Sequence, residues 1–444
     1  MKIIHDLQTL QSAGTRNRGI GKYTQSLVNT IDEDSLVKPV HLLNAAMPIF
    51  GNNSLKRINS PNFLSFSSLK PFKISAPNQL KTDIDEFFRE SFIKEQNPDI
   101  AHIHHYFDGF NSPFTSSIKI FYDTPVAITL YDLIPYNRPE LYLTNNEFAA
   151  WYYSKLYQLT KADAILCISE HTKKNYINLF GKTNQIVENI STDTGMLCNS
   201  EGLDEEKWQE FAENKHIKSN FIFCVSGDDK RKNNDSLIEA FAEVVSKYRL
   251  SAQLVIACKF SEGSKNRLNK IALDKGIKHN QFIILDYVSD ETLKMLYSKA
   301  KGFVFPSLEE GFGMPVLEAM RFGCPVIASN SSSLVEVVGD KDFLFDPENI
   351  SEIAEKINLL LTSDDFYYSA ISNSKKQEKL FSWKNSARRT LECYKEIENR
   401  RSSQNKLSVN FQQAPLLRKK LAWVSPITHI HLIVMTGNKY KWKD

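Results

Sequence analysis

Glu310 and Glu318 stand eight positions apart in Phe305-Pro306-Ser307-Leu308-Glu309-Glu310-Gly311-Phe312-Gly313-Met314-Pro315-Val316-Leu317-Glu318-Ala319-Met320. An ionised carboxylate only accepts hydrogen bonds. Two of them held apart by rigid elements can each grip a vicinal diol, one on a hexose and one on a ribose. The elements that would hold them are readable. Gly302 to Pro306 is a short apolar run with the length of a buried parallel strand, and Pro315 suits the first turn of a helix. Between them Gly311, Phe312 and Gly313 form a turn in which backbone amides can approach a ligand, at the strand end where open α/β sheets bind. The competing reading places Glu310 at a helix N-terminus for its macrodipole and leaves Glu318 as a solvated helix residue.

A second constellation follows the apolar run Phe221 to Val225. After the turn Ser226-Gly227-Asp228-Asp229 come Arg231 and Lys232, a planar fork and a compact point charge suited to a diphosphate. A solvated loop of mixed charge is the alternative, and for Lys230 it is the preferred reading. Gly19, Ile20 and Gly21 lie between the first strand and the first helix, where a turn can aim amides at phosphate. A lone Gly-x-Gly more often marks only a tight turn. His102, His104 and His105 crowd one strand end, with His102 and His104 on one face and His105 opposite. Zinc would need a fourth ligand that is not evident nearby. Buried or surface histidines without a role are one reading.

Apolar runs alternate with amphipathic ones throughout, the pattern of doubly wound parallel sheets. Strands are expected at Lys2 to His5, His41 to Ala45, Ile100 to His104, Val126 to Tyr131 and Ala164 to Ile168. A second set is expected at Phe221 to Val225, Gln253 to Cys258, Phe282 to Leu285, Gly302 to Phe305 and Val326 to Ala328. Helices are expected at Gly21 to Ile31, Leu80 to Gln96, Asn146 to Thr160 and Ser169 to Leu179. At 444 residues, 42% hydrophobic and 24% charged, the chain has the composition of two globular domains. A net charge of +3 gives no argument for nucleic acid. The six cysteines lack metal or disulfide spacing, which points to reduced core thiols and the cytosol. The N-terminus lacks a signal-peptide layout, and no apolar run approaches a spanning helix. Between Asp34 and Asp83 there is no acidic residue, while Lys38, Lys56, Arg57, Lys70, Lys73, Lys81, Phe63, Phe66 and Phe72 occur. Such a stretch could rest on anionic lipid from the inner face of a membrane; a solvated loop is the commoner outcome.

These motifs together resemble the family 4 retaining glycosyltransferases. The E-x7-E signature is matched by Glu310 and Glu318, and Asp286 to Met320 follows the family layout around it. Phe221 to Ala242 is similar to the strand, turn, Arg-Lys-Asn and helix that open the family's donor domain. Phe381-Ser382-Trp383 with Ala387 resembles its closing helix. Arg18-Gly19-Ile20-Gly21-Lys22-Tyr23 is like the RGIGRY loop of the mannosyltransferase-like branch, and Asp132-Leu133-Ile134-Pro135 is like HDLIP, with Tyr131 where many relatives carry His.

The resemblance implies a GT-B fold of two Rossmann-like, doubly wound parallel-sheet domains facing a cleft. It implies an acceptor-side domain over 1–200, a linker over 201–219, a nucleotide-sugar domain over 220–385 and a helix over 386–402 that returns to the first domain. A further linker over 403–420 and a remnant over 421–444, like the opening strand of another such unit, are expected beyond it. The resemblance also implies the other reading of His102, His104 and His105, a substrate-facing edge continuing to Asp108 and Gly109. The implied catalytic residues are Glu310, Arg231, Lys232 and Asp132; the implied substrate-binding residues are Gly19, Ile20, Gly21, Tyr131, Asp108, Gly227, Gly311, Phe312, Gly313 and Glu318. The donor is a nucleotide diphosphate sugar, GDP-mannose first and a UDP-sugar second, and the acceptor an oligosaccharide or its lipid-linked form. No metal is expected, because the cationic pair stands where a metal would and no Asp-x-Asp motif ends a strand. A catalytically weak nucleotide-sugar-binding partner subunit, or an epimerase or phosphorylase of the same fold, is the alternative.

Overall fold

Each short apolar run becomes a strand buried on both faces, which is why four or five residues such as Ile100–Ile103 or Val126–Leu130 suffice. The computed structural model describes residues 1–49, 53–59, 61–68, 79–194 and 204–403. The linker expected over 403–420 (beyond its first residue), the remnant expected over 421–444, and Lys70, Phe72 and Lys73 lie outside the described residues.

The first lobe carries β1 (Lys2–Asp6), β2 (Lys38–Asn44), β3 (Phe63–Phe66), β4 (Ile100–Ile103), β5 (Val126–Leu130), β6 (Ala164–Cys167) and β7 (Ile186–Asn189). Their order is β3-β2-β1-β4-β5-β6-β7, with every described pairing parallel. The second carries β8 (Phe221–Val225), β9 (Gln253–Ala257), β10 (Phe282–Leu285), β11 (Gly302–Phe305), β12 (Val326–Ser329) and β13 (Leu344–Phe345) in the order β10-β9-β8-β11-β12-β13, again parallel. The order reverses between β1 and β4 in one sheet and between β8 and β11 in the other. Those reversals open the crevices in which α/β sheets bind ligands. The expected fold class is therefore met.

Several elements differ from expectation. The edge strands β3, β7 and β13 were not anticipated. The stretch without acidic residues between Asp34 and Asp83, for which a solvated loop is the commoner expectation and a lipid-facing one the alternative, contributes β2 and β3, and Phe66 is buried. Within the expected linker 201–219, Glu205–Asn214 forms a helix capped by Asp204, and its Trp208 stacks on Phe221 at the start of β8. This helix is bound to the second lobe by Lys207–Glu291 and Lys299–Glu205 ion pairs.

Helix Trp383–Ser403 lies against the first lobe. Arg389 donates to the Asn189 carbonyl at 2.8 Å, Arg401 reaches Asp123 at 2.7 Å, and the Tyr394 hydroxyl meets His102 Nδ1 at 2.6 Å. His102 and His104 are thus core residues. Neither faces a substrate edge, which corrects the expectation implied by the resemblance and leaves the buried reading, because β4 is central and covered on both faces. Around them, His5 Nδ1 lies 3.0 Å from His104 Nε2, and His102 Nε2 lies 2.8 Å from Thr129 Oγ1. His41 accepts the Asn62 N–H at Nδ1, so its proton sits on Nε2 and is donated to Asp32 at 2.8 Å.

Burial lowers the pKa of His5, His102 and His104; at His5 it outweighs the nearby Asp32, and at His104 neighbouring imidazoles add to it. A histidine whose folded pKa is depressed costs stability once the pH falls below its unfolded value near 6.5. Folding free energy should therefore drop between pH 7.5 and 5.5 by about 1.4 kcal/mol more in the wild type than in His104→Gln. Denaturant titrations of both proteins at the two pH values measure the difference; an equal drop in both would show that His104 titrates in the fold as it does in the unfolded chain.

Candidate active site

The loops after β8 and β11 meet at the crevice of the second sheet. Asp229 caps a single 3-10 turn, Lys230–Lys232, and Asn233 ends it in the left-handed region at φ 56°, donating to the carbonyls of Pro306 at 3.1 Å and Pro347 at 2.8 Å. The Leu308 N–H donates to the Arg231 carbonyl at 2.7 Å, which joins the two loops directly. Glu310 Oε1 then receives Lys232 Nζ at 2.6 Å, Arg231 at 2.8 Å and the Ser307 hydroxyl at 2.6 Å. Burial pushes the Glu310 carboxyl up, but the charges of Lys232 and Arg231 and the hydrogen bonds from Lys232 and Ser307 prevail and bring it to about 2. Lys232 also lies over the Phe305 ring at 4.8 Å. The structure thus brings together Glu310, Arg231 and Lys232, on adjacent strands' loops, in one charge cluster.

Asp132 joins them from the first lobe. Burial raises its pKa, its Oδ1 accepts the Ile134 N–H at 3.0 Å, and it senses the charges of Arg231 and Glu310. The lobes touch at backbone level here: a Cβ on Gly311 would overlap the Tyr131 carbonyl oxygen and come within 3.1 Å of Asp132 Cβ. Thr172 Oγ1 bridges the same place, 3.2 Å from the Tyr131 carbonyl and 3.3 Å from that of Gly311. Glu309, which the sequence reading passed over, accepts from Asn137 at 2.6 Å and Arg138 at 3.2 Å. Tyr142 donates to Asp229 at 2.8 Å. No spacing signal marks these contacts, since their partners lie more than eighty residues apart in the chain.

Glu318 sits in helix Met314–Arg321 and is buried, not a solvated helix residue. Its carboxyl is raised to about 7, chiefly by burial, against the opposing pull of Lys22 and a 3.0 Å hydrogen bond from Tyr297. Lys22 in turn pairs with Asp290 of the other lobe at 2.9 Å. Gly19, Ile20 and Gly21 form the first turn of helix Gly19–Asp32, not a loop before it. Gly21 has no room for a Cβ against the Arg16 carbonyl, whereas a Cβ on the exposed Gly19 would stand 3.4 Å from Met314 Sδ. The Tyr131 hydroxyl lies 3.3 Å from Thr24 Oγ1 and 3.4 Å from the Ile20 carbonyl, so it is engaged within the first lobe. Phe312 is a core residue, edge-on to Phe381 at 5.4 Å. Gly313, at φ 104°, is required by its backbone and by Leu334, 2.6 Å from where its Cβ would be. A Cβ on Gly227 would meet only the Lys232 stem, at 3.5 Å. Asp108 accepts from Ser12 at 3.1 Å, Ser112 at 2.8 Å and the Gly109 N–H at 2.7 Å.

Among the described residues, His5, His102 and His104 are the one group whose side chains could hold a metal. Both ring nitrogens of His102 already face hydrogen-bonding hydroxyls, those of Thr129 and Tyr394, so His102 is engaged in the polar core, while the buried Nδ1 of His104 has no hydrogen-bond partner among the described residues.

The sequence model of the glycosyl transferases group 1 matches residues 206–377, and that of glycosyltransferase family 4 matches residues 59–190. The chain belongs to the family 4 glycosyltransferases. A serotype-specific mannosyltransferase WbdA of Escherichia coli is 30% identical to this glycosyltransferase over 403 residues, covering 89% of this chain and 48% of the relative. The chain spans about half the length of the WbdA relatives it matches. The O-antigen chain mannosyltransferase B of E. coli is 27% identical over 404 residues, 89% of this chain and 100% of the relative. A glycosyltransferase from Rickettsia africae superposes with a TM-score of 0.63 at 17% identity over 89% of this chain and 98% of that one. Anabaena HepE in complex with UDP and glucose does so with 0.61 at 16% identity over 91% and 100%. Both share the two-lobed fold.

The raised carboxyl of Glu318 has a measurable consequence for this glycosyltransferase. Its folded pKa of about 7 exceeds an unfolded value near 4.5, so stability falls as pH rises from 4.5 through 7 and the loss is complete above. Glu318→Gln removes that loss. It should stabilise the fold by about 1–3 kcal/mol at pH 8 and by nothing measurable at pH 5. Paired denaturant melts at the two pH values read the effect; a variant that is less stable at pH 8 would contradict the burial argument.

Proposed function

We propose that this chain is a retaining hexosyltransferase. It moves mannose, as the first choice, from a nucleotide diphosphate sugar to a surface polysaccharide or its lipid-linked precursor. GDP-mannose is the first donor to test and UDP-sugars the second, because the relatives are named mannosyltransferases while HepE is solved with UDP and glucose. One observation carries the reading: a buried carboxylate at Glu310 shares its oxygen with Arg231 and Lys232 at the crevice of the second sheet, opposite Asp132 of the first.

The chemistry follows from the charges. Arg231 and Lys232 attract the donor's diphosphate and offset the negative charge that grows on it as the bond from the sugar's anomeric carbon to the phosphate oxygen breaks. Glu310 stays ionised at any working pH, given its carboxyl near 2, so it accepts from sugar hydroxyls without competing for a proton. Attack comes from the face that the phosphate leaves; the acceptor hydroxyl forms the new bond and passes its proton to a departing phosphate oxygen. Asp132 sits beside this point, and Glu318, near the Lys22–Asp290 bridge, suits the ribose. Because the Tyr131 hydroxyl is engaged with Thr24 and Ile20, the transferred sugar finds no imidazole or phenol from this position. That specific observation favours one second reading, a slow enzyme or a nucleotide-sugar-binding partner subunit. No helix among the described residues is long and apolar enough to cross a membrane. Cytoplasmic residence with peripheral contact at the membrane's inner face fits a lipid-linked acceptor.

A panel of GDP-, UDP-, ADP- and dTDP-sugars tests the reading by donor hydrolysis and transfer. Glu310→Gln should lower kcat by at least a hundredfold with the best donor, as removal of one preorganised polar group does in other sites, roughly 10²–10³. Turnover equal to wild type would refute the role of Glu310. Binding of a donor without turnover by the wild type would favour the partner-subunit reading.

A further inference from the structure

A groove of about 470 Å³ opens on the first lobe between the loop after β4 and the start of helix Asn146–Leu159. Its size is in the range of sites that hold small ligands. Three half-buried rings form its apolar part: Phe148 stacks with Trp151 at 5.5 Å and 25°, and Phe110 packs against both, at 5.2 and 5.7 Å. Asp108, Asn111 and Asn145 supply the polar part. Asp108 is held in place by three donors, and Asn145 gives its Oδ1 to the Phe148 N–H as the helix cap, which leaves its amide hydrogens as donors. The loop that carries Asp108 is itself fixed: Gly109 has φ 113°, and a Cβ there would lie 2.5 Å from the Phe114 carbonyl oxygen.

We propose that this groove is an acceptor subsite that takes a neutral oligosaccharide, with pyranose rings lying on Phe110, Phe148 and Trp151 and ring hydroxyls reaching Asp108, Asn111 and Asn145. The inference rests on the hexosyltransferase reading and extends it to the acceptor.

The chemistry selects the ligand. An aromatic face carries negative charge density and attracts the weakly positive C–H face of a pyranose. Carboxylate and amide groups at the edge match hydroxyls in direction and number. No lysine or arginine lines the groove, and its one ionisable group is acidic, so phosphate and anionic headgroups are disfavoured. The floor of the groove leans toward the loop that carries Asp132: Phe107 and Phe148 pack on the buried Tyr152 ring at 4.9 and 6.4 Å, and the charge of Asp132 acts on the Tyr152 hydroxyl.

Saturation-transfer NMR and tryptophan fluorescence with the full chain, using mannotetraose and maltotetraose as probes, test the proposal. At least one probe should bind with contacts from pyranose C–H protons. Trp151→Ala should raise its Kd tenfold or more, and Trp151→Phe less than threefold. In transfer assays the acceptor KM should rise at least tenfold in Trp151→Ala, against a donor KM that moves less than twofold. Phe110→Ala, on a loop, gives the same test should Trp151→Ala fail to fold. Absence of binding by both sugars, or unchanged binding in the alanine variants, overturns the subsite. Donor hydrolysis by the wild type without acceptor is read separately: if it succeeds while sugar binding fails, only the groove assignment falls. If it fails for every donor while sugar binding succeeds, the hexosyltransferase reading falls and the groove stands as a saccharide site.

Discussion

A carboxylate as buried as that of Glu310 keeps its charge only while both cations stay beside it, and the local structure of the second lobe is arranged around that requirement. Arg231 and Lys232 arrive on the loop after β8, Glu310 on the loop after β11, and these strands are neighbours because the sheet reverses its order between them. The left-handed Asn233 and the Leu308–Arg231 backbone bond then fix the loops relative to each other to within hydrogen-bond tolerance. Removing one member would leave the others charged in a poorly solvated place. The cluster therefore fits the proposed reaction, in which a diphosphate leaves beside the two cations.

That cluster becomes a cleft only because the other lobe comes close, and the closeness has a steric cause. Gly311 lacks a side chain where the Tyr131 carbonyl passes, so the loop bearing Glu310 can touch the loop bearing Asp132. Thr172, with bonds to both carbonyls, spans the contact, and the Glu336 carboxylate accepts the N–H groups of Glu170 and His171 at 2.9 and 3.2 Å from across the gap. Glu336 thereby places a negative charge at the N-terminus of helix Glu170–Phe180, where the macrodipole favours it. Asn137–Glu309, Tyr142–Asp229 and Lys22–Asp290 join the lobes as well, so the interface has a polar character, the kind across which domains can shift.

What could be read in advance was what has a local cause. The strand, glycine turn and Pro-led helix around Glu310 announce themselves because each residue type answers a backbone need within a few positions. The same holds for the basic pair after Phe221–Val225. The edge strands did not: Phe63–Phe66 buries one residue of its four fully and Ile186–Asn189 likewise, so neither shows the continuous apolar run of a central strand. The helix Glu205–Asn214 is polar apart from Trp208, Phe211 and Ala212, and only its docking on Phe221 explains it. Histidine placement failed for a related reason. Alternation says which face a side chain takes, not that both faces of β4 are covered, nor that His5, His41 and Asp32 will converge with His102 and His104. The resemblance likewise places the Tyr131 hydroxyl in the cleft, whereas the Ile20 carbonyl, 111 residues earlier in the chain, takes it up.

Two glutamates eight residues apart thus occupy opposite electrostatic regimes. Glu310, between two cations, stays ionised down to about pH 2; Glu318, buried with a tyrosine hydroxyl, gains or loses its proton near 7. The difference is entirely in the neighbours, and it gives the pair different capacities. Glu310 is a permanent acceptor fixed by its partners. Glu318 changes its character with whatever approaches, and what approaches depends on the lobes: Lys22 of the first lobe favours its charge and Asp290 of the second opposes it, and these two form an ion pair across the cleft. Loss of the lysine would favour the protonated form of Glu318, and its presence favours the carboxylate. If Glu318 holds the ribose as proposed, that contact depends on the same interface that sets Asp132 beside Glu310.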